Sequence, residues 1–297
     1  MRIFITVLLF CFTLPSIAFS SETITIAIER NALERIQALS EILNVPIDKL
    51  EQIPDVKINR TTADVIILLR SLRMGGISSP IEYIEVPNAR RSTAEVARGR
   101  AVLCSQQLNE DTIAVPGYKD AFLVSAPITR YGEFQKGFYT LLENTELLTA
   151  RSATEINQRG KGIIGQHWNN DKQVLQNMGI TNVIDAPTFD CMVKMLNAGR
   201  ADWIPLEIAT TQDFSKVLNG IRLIPIPGIK FSLLESRHFF VSRKHPRGKE
   251  IYGALQKGIK ELRKRGFIHK ILTQAGVFNP RTDSWTILNA EEMKKGK

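Results

Sequence analysis

The 297-residue sequence predicts an α/β protein made of two similar lobes. Segments rich in β-branched residues alternate with segments whose apolar residues recur at helical spacing, a pattern typical of mostly parallel sheets flanked by helices. Residues 194–207 show this most clearly, because a helix end, a Gly-Arg-Ala turn and an apolar strand follow one another there. A weaker copy of the same succession lies at residues 95–103 and indicates a second unit of this kind.

Residues 1–20 have the features of an export signal. A basic start is followed by an apolar run that is too short to span a membrane, and the small residues Ala18 and Ser20 precede the expected cleavage point. We therefore expect cleavage after Ser20 and a soluble periplasmic protein without stable membrane insertion. The formal net charge is +9, but the basic residues are scattered, so no nucleic-acid partner is expected.

The remaining chain divides into helices and strands in alternation. Glycine pairs, isolated glycines and prolines mark most of the boundaries. Apolar periodicity predicts helices at 31–43, 62–74, 92–98, 153–158, 171–178, 189–197, 212–218, 248–265 and 268–274. Enrichment in β-branched and apolar residues predicts strands at 23–28, 81–86, 101–104, 162–165, 183–184, 203–204 and 221–226.

Glu207 is the first candidate for a functional side chain. Trp203 and Ile204 open a short apolar strand, and Pro205 is expected to end its ladder because proline lacks an N–H donor. Ligands of open α/β sheets bind beyond the carboxyl ends of strands, where Glu207 would lie. The alternative is a surface carboxylate on a loop.

Two cysteines lie outside the export signal. Cys104 is predicted in a strand and Cys191 on the apolar face of a helix. We expect both to be free thiols in different lobes. A bridge between them is the alternative, because the periplasm permits disulfides.

Four stretches together resemble a known family: residues 23–27, residues 124–128, residues 199–202 with Glu207, and residues 262–272. Their order and spacing are similar to those of extracellular solute-binding proteins of the amino-acid-binding type, which have the type II periplasmic binding fold. The resemblance implies two lobes that close on a solute by hinge motion. It places lobe 1 at residues 21–134 plus 236–290 and lobe 2 at 135–235. It also implies two hinge crossings, near 137–140 and 238–241. The charged residues 291–297 are themselves expected to form a frayed tail.

The resemblance also suggests ligand-binding residues. An acid at the position of Glu207 holds the ligand ammonium in such proteins, and an arginine before the 124–128 segment holds the carboxylate. This chain has only Tyr118 and Lys119 near that second position. Lysine lacks the planar fork of arginine, so Arg91 and Arg130 are the candidate substitutes. A solvated surface charge is the alternative interpretation of each.

The loop that precedes the helix at 171–178 is a further candidate. Trp168 and Asn169 lie there, where the amides at a helix start can bind an anion. Packing of Trp168 inside the lobe is the alternative.

These features predict a monomeric protein that captures a small polar solute, an amino acid or a related amine or carboxylate. An inner-membrane transporter of the ABC type, or a sensor, would receive the solute. No cofactor and no metal are expected. One alternative is a divergent member that acts through protein contacts. Another is an enzyme on the same fold, similar to cyclohexadienyl dehydratases, with Glu207 or His167 as general acid or base.

Overall fold

The computed structural model describes residues 23–118 and 120–295 of the chain. The predicted export signal and Lys119 therefore lie outside the described residues. Strands of the described residues form two separate sheets, and each sheet carries its own helices. We call the unit around the first sheet lobe 1 and the unit around the second sheet lobe 2.

The sheet of lobe 1 has the strand order β2-β1-β3-β12-β4. Its strands are β1 (Ile24–Glu29), β2 (Ile81–Val86), β3 (Leu103–Cys104), β4 (Phe122–Val124) and β12 (Phe240–Ser242). β1 runs parallel to β2 and β3, whereas β12 runs antiparallel to β3 and β4. The helices of this lobe are α1 (Arg30–Leu43), α2 (Arg60–Gly75), α3 (Ala89–Ala97), α8 (Gly248–Lys264) and α9 (Phe267–Gln274).

The sheet of lobe 2 has the order β13-β11-β5-β8-β6-β7, with β10 on β5 and β9 on β10. Its strands are β5 (Gln135–Leu141), β6 (Gly162–Gly165), β7 (Val183–Ala186), β8 (Trp203–Glu207), β9 (Lys216–Leu218), β10 (Ile221–Pro225), β11 (Ile229–Ser232) and β13 (Thr286–Ile287). Its helices are α4 (Thr145–Leu148), α5 (Ala153–Arg159), α6 (Asn169–Asn177), α7 (Phe189–Asn197) and α10 (Ala290–Lys295). A parallel group, β7-β6-β8, is extended by antiparallel strands around β5.

The segments that connect the lobes lie before the positions predicted for them. Thr129 and Arg237 form an antiparallel bridge, so the outgoing and returning chains run side by side. The predicted crossing at 137–140 lies inside β5, where it pairs with β8. The predicted crossing at 238–241 continues into β12 of lobe 1. Extended conformation was therefore predicted correctly at both places, but both segments belong largely to sheets.

The C-terminal part of the chain returns to lobe 2, although residues up to 290 were predicted in lobe 1. β13 pairs in parallel with β11. The buried side chain of Asn289 binds both the N–H and the C=O of Ser232, at 2.9 and 2.8 Å. These bonds hold the segment against β11, and α10 forms where a frayed charged tail was expected.

The predicted helix at 212–218 is wrong, because residues 216–218 form the strand β9. Asn219 and Gly220 both have positive φ angles, 52° and 79°, and join β9 to β10 as a tight hairpin. Asn-Gly between apolar residues is a strong hairpin signal. Pro205 also differs from expectation, because it lies inside β8 opposite Phe138. β6 pairs with β8 only at Trp203, so the missing N–H of Pro205 interrupts no bond to β6.

Close contact between α2 and α8 fixes the helix that carries the first cavity residue. A Cβ atom at Gly258 would lie 1.9 Å from the Ser71 carbonyl oxygen, and one at Gly75 would lie 2.1 Å from that of Ala254. Only glycine permits this approach. Since α2 is buried along most of its length, its N-terminus is held rigidly at the edge of lobe 1.

Cys104 lies in β3 of lobe 1 and Cys191 in α7 of lobe 2. Both are free thiols in this structure. Cys104 is buried, whereas Cys191 is partly exposed.

Candidate functional site

A cavity of about 410 Å³ lies between the lobes. Lobe 1 contributes Arg60 and Asn109 to its lining, and the connecting segments contribute Phe134, Glu235 and Arg237. The rest of the lining comes from lobe 2: Lys136, His167, Trp168, Asn169, Asn170, Asp171, Phe189, Pro205, Leu206, Glu207, Lys216 and Leu218. Charged side chains of both signs therefore face an interlobe space suited to a small molecule.

Arg60 and Glu207 join the lobes across this cavity. Arg60 is the first residue of α2, where the side chain of Asn59 caps the helix by accepting a hydrogen bond from the Thr62 N–H at 2.9 Å. Glu207 is the last residue of β8. The Nε atom of Arg60 donates to Oε1 of Glu207 at 3.1 Å. Burial alone would raise the pKa of Glu207, but Arg60, Lys216 and other cations outweigh it and lower that pKa.

Asp64 supports Arg60 from behind. Its side chain is fully buried one helical turn after Arg60, and the nearest guanidinium nitrogen is 3.7 Å away. Gln107 donates to this carboxylate through its side-chain amide at 2.7 Å and through its backbone N–H at 3.3 Å. Burial raises the pKa of Asp64 to about 6, although Arg60, Gln107 and Arg237 each act in the opposite direction. Burial acts to lower the pKa of Arg60, but the negative charges of Glu207 and Asp64 outweigh this effect, so the pKa is raised.

Glu235 is the second group that connects the lobes. Its Oε2 atom accepts hydrogen bonds from Asn109 of lobe 1 at 2.6 Å and from Asn170 of lobe 2 at 2.5 Å. Its Oε1 atom accepts from the guanidinium of Arg237 at 2.7 Å. Arg237 in turn lies 4.1 Å from the centre of the Phe134 ring. Burial and the nearby Arg60 lower the pKa of Arg237, while Glu235 stabilises its charge.

Lys136 and Asp171 form a buried pair within lobe 2. Lys136 lies on β5 and Asp171 in the first turn of α6, and their charged groups are 2.5 Å apart. The Lys136 ammonium also lies 4.3 Å from the centre of the Trp168 ring, a cation–π distance. This pair fixes the start of α6 against β5, so Trp168 and Asn169 face the cavity from a supported position.

Lys216 differs from the other cations of the cavity. Its backbone pairs with Leu223 of β10, but its ammonium makes no hydrogen bond and no ion pair with any residue in the described ranges 23–118 and 120–295. Its ammonium lies 5.9 Å from the centre of the Tyr139 ring. Burial lowers the pKa of Lys216, and the nearby Glu207 acts in the opposite direction.

Glu207, Trp168 and Asn169 all line the cavity, as the sequence suggested. Lys119 lies outside the described residues.

Arg91, Arg130 and Tyr118 are not among the cavity-lining residues. Arg91 is half exposed on α3 and pairs with Glu95 at 2.7 Å. Arg130 is exposed, and its backbone N–H donates to Glu133 at 2.7 Å. The ring of Tyr118 packs edge-on against Phe122 at 5.9 Å.

Sequence reasoning missed most of the charged lining: Arg60, Lys136, Asp171, Lys216, Glu235 and Arg237. One local signal was available for Arg60, because Asn59 before a helical segment is a typical N-cap and places the next residue at the helix start. Glu235 and Arg237 carry no such signal. Their position depends on how the two connecting segments pair.

Among the described residues, none of the helices is both long and apolar enough to traverse a bilayer. The same residues contain no group of three histidine, cysteine, aspartate or glutamate side chains that could hold a metal ion.

The structure is similar to solved structures of two amino-acid ABC transporter binding proteins and of one periplasmic domain. The probable amino-acid ABC transporter extracellular-binding protein YtmK from Bacillus subtilis matches with a TM-score of 0.54 and 13% identity, covering 86% of this chain and 99% of that one. The amino acid ABC transporter substrate-binding protein AbpA from Streptococcus pneumoniae, bound to L-arginine, matches with a TM-score of 0.51 and 14% identity, covering 85% and 94%. The periplasmic VFT2 domain of BvgS from Bordetella pertussis matches with a TM-score of 0.53 and 13% identity, covering 85% and 92%.

No protein-family model matches the sequence, and no curated protein sequence matches it. At these low identities the structural matches establish the fold. The predicted two-lobe α/β architecture of the type II periplasmic binding proteins is thereby confirmed.

Proposed function

We propose that this chain is a periplasmic solute-binding protein. It captures a small polar solute, an amino acid or a related amine or carboxylate, in the interlobe cavity and presents it to an inner-membrane transporter or sensor. The observation that carries the proposal is the cavity itself. It is lined from both lobes by charged side chains and is of a size that suits a small molecule. The likeness to proteins described as amino-acid-binding supports it through the shared fold.

Solute capture in this architecture is coupled to closure of the lobes. The paired segments around Thr129 and Arg237 form the hinge, and the lobes rotate about it. Arg60 and Glu235 then make the contacts that close the cavity. In this proposal the described residues from 23 to 134 and from 236 to about 275 move as lobe 1, while residues 135–235 and the C-terminal segment move as lobe 2.

The electrostatics around Glu207 favour a role for this residue in binding over a role as general acid or base. A general acid or base works best with a pKa near the operating pH. The pKa of Glu207 is lowered, so it is a poor proton donor and a weak base near neutral pH. Asp64 has a pKa of about 6 but lies behind Arg60 and does not line the cavity.

The proposal is tested by a thermal-shift screen of amino acids, polyamines and small carboxylates, followed by calorimetry of the hits. A solute at about a hundred times its Kd stabilises a protein by roughly 2.7 kcal/mol, which is easily detected. Stabilisation by no compound of the three classes would contradict solute capture.

Substitution of Phe189 tests whether a compound found in the screen binds in the interlobe cavity. This residue lines the cavity and is 42% exposed, so Phe189→Ala removes ligand contacts with little loss of core packing. We expect weaker binding of the hit and nearly unchanged melting of the free protein. Leu142 is the matched control, because it is 53% exposed directly after the last residue of β5 and does not line the cavity. Equal effects of Phe189→Ala and Leu142→Ala would place the solute elsewhere.

A further inference from the structure

The carboxylates that line the cavity are already bound by cations of the protein. Glu207 accepts from Arg60, Glu235 from Arg237, and Asp171 from Lys136. Glu235 also accepts from two asparagine side chains. A ligand ammonium would therefore have to displace a guanidinium or an ammonium that the protein itself supplies. Displacement leaves that cation partly buried without a partner, which is strongly unfavourable.

Arg60 occupies the position at which an amino ligand was expected. The sequence suggested that Glu207 holds a ligand ammonium, and in the structure its Oε1 atom accepts from Arg60 at 3.1 Å. The rigid packing of α2 on α8 and the cap by Asn59 hold Arg60 there. The Glu207 carboxylate therefore has a cationic partner within the protein and needs no ligand ammonium.

Lys216, unlike the carboxylates of the cavity, has a charge that no oppositely charged side chain pairs with among the described residues. It begins β9 and lines the cavity, and its ammonium has neither a hydrogen bond nor an ion pair among residues 23–118 and 120–295. It also lines an adjoining cavity of about 490 Å³, which shares Arg60, Glu207 and Leu218 with the first. The cavity therefore presents one cation that a bound anion could satisfy without displacing a group of the protein.

The lining of the cavity also includes apolar side chains that are at least partly exposed. Phe189 lines the same cavity and remains 42% exposed despite its size. Leu218, two residues after Lys216 on β9, lines it as well. An apolar ligand body placed against such side chains gains affinity through burial.

We propose that the solute is a small organic carboxylate with an apolar body and that Lys216 is the residue that selects it. The ligand carboxylate accepts a charge-assisted hydrogen bond from the Lys216 ammonium, while the body packs against Phe189 and Leu218. The protein's own Arg60 replaces the α-ammonium of an amino acid at Glu207. This inference rests on the proposed function, because it requires that the interlobe cavity binds a solute.

The test compares ligands that differ only in their charged groups. The aromatic set is 3-phenylpropanoate, phenylalanine and 2-phenylethylamine, and the aliphatic set is hexanoate, norleucine and pentylamine. Titration calorimetry on the purified chain should show the tightest binding for the carboxylate of at least one set. The amino acid should bind at least about tenfold more weakly, because its ammonium meets cations at the occupied acidic positions. The amine should not bind measurably.

Variants of Lys216 then test whether its positive charge is what binds the ligand carboxylate. Lys216→Met should weaken carboxylate binding about tenfold to a hundredfold, the usual range for loss of a charge-assisted hydrogen bond. Lys216→Arg should retain most of the affinity. Lys249→Met is the matched control, because Lys249 is exposed on α8 of lobe 1 and does not line the cavity, and it should leave binding unchanged. An unchanged melting temperature of each variant without ligand would show that β9 is intact.

The outcomes separate this inference from the proposed function. Tighter binding of the amino acids or amines than of the carboxylates would overturn the inference and leave solute capture standing. Carboxylate binding that Lys216→Met does not weaken would also overturn it. If neither set binds, the inference fails, and the broader screen of amino acids, polyamines and carboxylates decides the proposed function separately.

Discussion

Arg60 and Glu207 lie on different lobes and meet across the cavity, with Nε of Arg60 3.1 Å from Oε1 of Glu207. Both side chains are about a quarter exposed, so the pair is screened less than a surface ion pair. Because Arg60 begins α2 of lobe 1 and Glu207 ends β8 of lobe 2, their contact bears directly on how the lobes are arranged.

The first prediction concerns this contact. Arg60→Gln and Glu207→Gln should each favour a more open arrangement in the absence of solute, because each removes a charge that holds the lobes together. A double-mutant cycle on the free energy of unfolding should give a coupling of about 1 kcal/mol. Small-angle X-ray scattering should show a larger radius of gyration for both variants than for the parent chain.

The pair Arg73–Asp48 provides the control. Its side chains are 29% and 26% exposed, close to the 26% and 29% of Arg60 and Glu207, but both residues lie in lobe 1. Arg73→Gln should lower stability by a similar amount without changing the radius of gyration. An unchanged radius in Arg60→Gln and Glu207→Gln as well would show that the pair does not hold the lobes closed.

The second prediction concerns the pH dependence of stability through Asp64. Its pKa is about 6 in the folded chain, above the ordinary value of 3.8, so the folded state binds a proton between these values that the unfolded state does not. The contribution of Asp64 to the free energy of unfolding should therefore rise as the pH falls from about 7 to 4. Relative to Asp64→Asn, the gain should approach about 3 kcal/mol, because a difference of one in pKa between the folded and unfolded states corresponds to about 1.4 kcal/mol.

Urea unfolding at several pH values measures this difference. Asp185→Asn is the control, because Asp185 is 42% exposed beside Lys172 and its replacement should follow the parent chain within about 0.5 kcal/mol. A parent chain that loses stability relative to Asp64→Asn on acidification would contradict the burial of an ionisable Asp64.

The third prediction concerns Glu235, whose carboxylate is bound by Asn109, Asn170 and Arg237. Glu235→Ala leaves the Arg237 charge largely buried without its partner, and such losses typically amount to about 3–5 kcal/mol. Denaturant unfolding should show a loss of this size. Glu261→Ala is the control, because Glu261 is 38% exposed and its partner Arg265 is 58% exposed, so the change in stability should be less than about 1 kcal/mol. Similar losses in the two variants would rule out a special role for Glu235.

The fourth prediction concerns thiol reactivity. Burial raises the pKa of Cys104 to about 11, so its thiol is protonated and inaccessible at neutral pH. Cys191 is partly exposed in α7. Because the thiolate is the reactive species, iodoacetamide at pH 8 should label Cys191 at least about ten times faster than Cys104. Peptide mass spectrometry resolves the two sites, and equal labelling rates would show that β3 opens readily.

The sequence predicted the architecture because the patterns that determine it are local. Apolar periodicity identified α1, α2 and α8, and the predicted strands at 81–86 and 162–165 coincide with β2 and β6. The hairpin at Asn219 and Gly220 was equally local, but the apolar residues before it were interpreted as a helix. Short apolar runs carry too few residues to distinguish the two periods.

The candidate site was only partly predictable. Glu207 could be located because a strand end indicates a position near a ligand. Arg60 and Arg237 reach the same cavity from residues 177 positions apart in the chain, and only the tertiary arrangement brings them together. The arginines proposed from sequence, Arg91 and Arg130, were placed by nearness to expected strand ends, and Arg91 instead pairs with Glu95 on its own helix.

The return of the C-terminal segment to β11 gives the two lobes an additional covalent connection. The side chain of Gln274 binds the Val56 carbonyl of lobe 1 at 2.7 Å, and five residues later the side chain of Asn279 binds the Ala209 carbonyl of lobe 2 at 2.9 Å. Within the described residues, three segments therefore pass between the lobes. Two connecting segments that run side by side would let the lobes twist as well as bend relative to each other. A third connecting segment at a different position resists the twist. The lobes should accordingly open and shut about a single axis, and anything fused to the C-terminus would travel with lobe 2.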